Sequence, residues 1–181
     1  ATYETSPGRR GGMVDRLEWG SVVHARDRNL MVGGVTDPRV PIENIGPHDV
    51  TGVGDWWVQR KYADDGSDMP FASWREAQLM IAEIDPAQSV AIINVLRSNP
   101  AGLHFELDSS AWPLPAYVEV DAATTAAAVR EERRRELFLQ GVHMGDHHRS
   151  GDFSGWDTGE SLVNAPIGTL TCLPIPELEF L

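Results

Sequence analysis

One cysteine, Cys172, stands in 181 residues, so the chain has no internal disulfide framework. That scarcity alone is silent about compartment. No apolar run approaches the ~18–20 residues that a membrane-crossing helix requires. Positive charge is scarce too: 15 lysines and arginines face 27 aspartates and glutamates, a formal net charge of −12. Readers of a phosphate backbone carry a basic face, so this balance argues against a nucleic-acid partner. The one basic cluster, Arg130 with Arg133, Arg134 and Arg135, is interleaved with Glu131, Glu132 and Glu136. Such alternation suits salt-bridged helix packing better than a polyanion groove. There is no Gly-x-Ser-x-Gly elbow, no phosphate-cradling glycine loop and no internal repeat period. No pair of carboxylates stands out by spacing. A non-catalytic protein without a cofactor is expected.

What is present is an ordinary globular composition, 41% hydrophobic, at a length that suits one domain with a sizeable core. Glycine and proline crowd residues 1–55, which predicts loops with short extended pieces at 21–24 and 30–32. The first helix is expected over 72–84, where Trp74, Ala77, Ile81 and Ile84 recur at helical spacing. Leu79 and Ala82 add a second apolar edge, so burial on two sides is expected. Asp85 is a good N-cap, Pro86 fits the first helical position, and Gln88 sits where a capping box closes. The second helix should run to about Arg97 and stop at Ser98-Asn99-Pro100. So tight a turn makes an antiparallel hairpin.

Residues 103–120 read as extended, and Trp112-Pro113-Leu114-Pro115 cannot be regular structure. A long helix is predicted over 122–140, broken by Gly141 and followed by a short helix through Arg149. Residues 150–166 should form a surface loop and 170–176 an extended piece. On the long helix, Ala122, Ala126, Val129, Arg133, Leu137 and Gln140 fall on one stripe, which turns Arg133 toward a core. A guanidinium there needs a carboxylate, and Asp146 is the expected partner.

These pieces resemble the C-terminal region of the SusD/RagB family of nutrient-uptake outer-membrane lipoproteins. The family's Glu-Arg-Arg-Arg-Glu-Leu helix corresponds to Glu132 through Leu137, followed by Gln140-Gly141, Asp146 and Arg149. Its closing Pro-Ile-Pro-x-x-Glu corresponds to Pro174-Ile175-Pro176 and Glu179. Upstream, Asp37-Pro38-Arg39, Lys61-Tyr62, the helix opening at Arg75 and Asn94 with Arg97 keep the family's order. Ser73, Gln140 and His143 depart from it, each removing or weakening a charge that the family carries.

The resemblance implies a mainly α fold: a tetratricopeptide-like hairpin plus a long helix, with long irregular segments and a few short strands. One domain over 1–181 is expected, with a loop-rich wrap at 1–70, a helical core at 71–149 and a loop with an extended tail at 150–181. The implied role is binding of a glycan or other nutrient at the outward-facing surface of the outer membrane, or outside the cell, with hand-over to a TonB-dependent transporter. Arg133, Glu136, Asp146 and Arg149 are expected to hold the fold as an ion-pair network. Family members run to several hundred residues, so this chain is expected to be a fragment, a processed product or a shortened relative. The rival reading is an extracellular structural module that associates with copies of itself, because a lone helical hairpin leaves faces uncovered.

Six tryptophans and three tyrosines invite a search for a saccharide platform. Trp56, Trp57, Trp112, Tyr117 and Trp156 are the candidates, against the commoner use of aromatics in packing. Trp74, on a core-facing helix, is read as structural. His143 and His147 lie four apart beside Asp146, His148 and Asp152, a set able to hold zinc or nickel, although a surface or capping role is the simpler reading. Asp64, Asp65 and Asp68 form an acidic turn with oxygen ligands suited to calcium, but its spacing misses the EF-hand and a solvated turn is favoured.

Overall fold

Two adjoining caps build the centre of the molecule. Ser73 accepts the amide of Glu76 through its hydroxyl and starts α1 (Trp74–Ile84). Asp85 then ends that helix and caps α2 (Pro86–Ser98), accepting the Ala87 amide at 3.2 Å and the Gln88 side chain at 2.7 Å. One residue thus closes one helix and opens the next, which forces the antiparallel hairpin. In this computed structural model the described residues are 30–47, 55–62, 67–68, 70–103 and 111–151. Among them the fold is mainly α, with four helices and two small two-stranded sheets. The expected extended pieces at 21–24 and 170–176 lie outside the described residues, as do Asp64, Asp65, Asp152, Trp156 and the closing Pro-Ile-Pro.

The chain groups into two compact units, 1–141 and 142–181, and the division at Gly141 falls inside the stretch expected as one helical core. In the first unit, β1 (Met31–Val32) pairs antiparallel with β2 (Val35–Thr36). Their turn needs glycine: Gly33 and Gly34 both have positive φ, and a side chain on Gly33 would run into Pro115. β3 (Ile42–Pro47) pairs antiparallel with β4 (Asp55–Gln59), with an irregularity between Asn44 and Pro47. α3 (Ala122–Glu136) starts on Asp121, whose carboxylate accepts the Thr124 amide at 2.8 Å. That bond holds the Asp121 carboxyl below its ordinary range.

Leu79, Ala82, Ile92, Ile93, Leu96 and Val129 form the apolar core where α1, α2 and α3 meet. The irregular strap at 111–120 is tied to α2 by polar bonds. Asn94 exchanges two hydrogen bonds with the Tyr117 backbone, and the Leu114 amide donates to the Arg97 carbonyl.

Two expected stripes differ from the observed ones. On α1 the buried edge is Arg75, Leu79 and Ala82, whereas Trp74 is 42% and Ile84 84% exposed. Burial on two sides does not occur, because α2 and α3 both pack on the Leu79 edge. On α3 the buried face runs Thr125, Val129, Glu132, Arg133 and Glu136, with Ala122 and Ala126 turned to solvent. That helix also ends at Glu136, four residues before the expected limit, since Leu139 takes a left-handed φ of 59°.

The second unit opens with α4 (His143–Ser150), which closes on Gly151 in the left-handed conformation. No helix among the described residues is long and apolar enough to cross a membrane.

Candidate functional site

The last two turns of α3 carry two carboxylates, Glu132 and Glu136, on the face turned inward. Spaced four apart, they rise one above the other toward the same neighbours. Isolated buried carboxylates would cost several kcal/mol each, so the surrounding sequence must bring cations to them. It brings three, from three separate segments. Arg39, on the loop after β2, donates to Glu132 at 2.5 Å and to Glu136 at 2.9 Å. Arg75, in the first turn of α1, grips both Glu136 oxygens at 2.7 Å. Arg97, in the last turn of α2, donates to Glu132 through Nε at 2.8 Å and also through Nη2.

These guanidiniums make further bonds beyond the two glutamates. Arg75 gives its other three N–H groups to the carbonyls of Leu96, Asn99 and Ala101, just where α2 ends and its carbonyls lack helical partners. Its guanidinium carbon lies over the rings of Trp74 and Trp112, 5.4 and 5.9 Å from their centroids. Arg39 makes a bidentate pair with Asp37, whose carboxylate also accepts from Arg135 at 3.0 Å. Arg97 reaches the Pro115 carbonyl and stacks over Tyr117. Arg39, Arg75 and Arg97 therefore meet three buried acids, Asp37, Glu132 and Glu136, with Arg135 as a further cation on Asp37.

Burial and pairing oppose each other at Asp37: burial pushes its pKa up, but Arg39 and Arg135 pull it down to about 2. At Arg39, burial alone would favour loss of the proton, yet Asp37, Glu132 and Glu136 raise its pKa well above the ordinary arginine value. Beside this cluster the Lys61 ammonium donates to the carbonyls of Phe138 at 2.6 Å and Glu136 at 3.4 Å, closing the C-terminal end of α3. Burial lowers the Lys61 pKa to about 8, against the pull of Glu136.

A small recess of about 10 Å³, room for about one water, lies beside Lys61, Tyr62, Asp68, Ser73, Arg75 and Gln140. The Tyr62 hydroxyl is buried and has no hydrogen-bond partner, and burial raises its pKa.

No family model, curated protein or solved structure matches the chain.

The expected network residues divide into two groups. Glu136 is central, and Arg133 is buried and pairs with Glu76 of α1 at 3.2 Å. Asp146, half-buried, pairs with the exposed Arg149 on α4 at 3.0 Å. Of the aromatic candidates, Trp112 stacks on Arg75, and its indole nitrogen is buried without a hydrogen-bond partner. Tyr117 packs against the apolar core, backs Arg97 and reaches Thr125 with its hydroxyl. Both rings are engaged in packing. Trp57 is half-buried on β4, opposite Asn44, and Trp56 precedes it on the strand.

Among the described residues no group of three potential metal ligands comes together. His147 and His148 lie on α4, which His143 opens, and Asp68 is exposed at the recess.

The central acids and bases Asp37, Arg39, Arg75, Arg97 and Glu132 were not expected as one site. Four of them sit in the quoted Asp-Pro-Arg, helix-opening and Asn-x-x-Arg pieces, and Glu132 opens the Glu-Arg-Arg-Arg-Glu-Leu piece. The signal available was that separate short motifs each contained a charged residue of matching sign.

Proposed function

We propose that this chain is the scaffold part of a SusD-type binding protein, non-catalytic and acting at the outward-facing surface of the outer membrane or outside the cell. Such a protein captures a glycan or other nutrient and hands it to a TonB-dependent transporter. The single observation that carries this reading is the convergence of the family-like pieces. Asp37 with Arg39, Arg75, Arg97, and Glu132 with Glu136 lie far apart in sequence and meet in one buried cluster. Motif residues that meet without a free reactive group are what a structural signature requires. In this reading the α1–α2 hairpin is tetratricopeptide-like, and the residues with the strongest pattern hold the fold, while ligand contacts come from aromatic surfaces such as Trp56 and Trp57. Titration calorimetry of the protein against a saccharide panel tests the reading. Saturable binding supports it, and no binding to any saccharide overturns it.

One observation favours a second reading, a self-assembling extracellular module. Trp74, Ile81 and Ile84 leave an apolar stripe exposed along α1, the type of surface that copies of a chain can bury against each other. Light scattering up to high concentration decides it: a constant monomer mass removes this reading, and growth to higher mass favours it over the first.

A further inference from the structure

We draw no further inference here: the strongest candidate, the exposed apolar stripe of Trp74, Ile81 and Ile84 along α1, is an uncovered helix face, and nothing in the structure shows what covers it.

Discussion

The cluster around Glu136 and the Asp146–Arg149 pair of α4 are built from the same residue types at similar distances, 2.7–2.9 Å and 3.0 Å. Their physical situations are opposite. Glu136 is 2% exposed and shared by two arginines from different segments, while Arg149 and its partner are 47% and 21% exposed and neighbours on one helix. In water, a close pair gains little over separate hydration and loses side-chain entropy. In the interior, removing either partner leaves a charge with no hydration to return to. An ion pair's part in the fold therefore follows from burial and from how many segments it joins, and bond length alone is a poor guide.

The largest test of that contrast is Glu136→Ala. It leaves Arg75 without its carboxylate and takes one of three from Arg39, and should cost about 3–5 kcal/mol, read as a shift in the denaturant midpoint at unchanged slope. A loss under about 1 kcal/mol would place this cluster with the surface pairs.

Acid should produce the next effect. Because the Asp37 pKa drops from 3.8 to about 2 on folding, its contribution is complete above pH 3.8 and disappears as pH falls through about 2. That shift corresponds to about 2 kcal/mol. Wild type should lose this much more than Asp37→Asn between pH 4 and 2, and parallel acid curves for the two proteins would refute the assignment.

An intermediate case is the half-buried cap Asp85, which serves two backbone ends without burying a charge pair. Asp85→Ala should cost about 1 kcal/mol, visible as a lower thermal midpoint, and a change as large as that for Glu136→Ala would contradict the ranking.

The smallest effect belongs to Arg149→Ala, expected below about 0.5 kcal/mol and indistinguishable from wild type at high salt. A loss comparable to that of Glu136→Ala would mean that exposure does not separate the two classes.

Much of the helical framework was legible in the residues. Asp85 acts within a few residues of itself, so its cap and the hairpin could be read directly, whereas the Ser73 cap falls inside the helix expected from 72. The irregular strap at Trp112-Pro113 is local in the same way, whereas the helix expected to run to Gly141 ends at Glu136. The buried edge of α1 was not legible, since Trp74-Ile81-Ile84 and Leu79-Ala82 are both apolar at helical spacing. The choice depended on Arg75, which had to face Glu136 and pulled the Leu79 edge inward with it. The end of α3 escaped for a related reason. Leu137 and Phe138 suit a helix, but the Phe138 carbonyl is taken by Lys61 from a segment 77 residues away.

The candidate site was visible only as scattered fragments. Each short piece carried a charge, but nothing local says that Arg39 and Glu132, 93 positions apart, must touch. By itself the sequence determined where helices begin, where prolines exclude regular structure, and that an arginine turned toward a core needs a carboxylate. Only the tertiary structure decided which acids enter the interior. A buried carboxylate is tolerated just where guanidiniums from distant segments arrive together, and that meeting belongs to the packing of the elements rather than to any one of them.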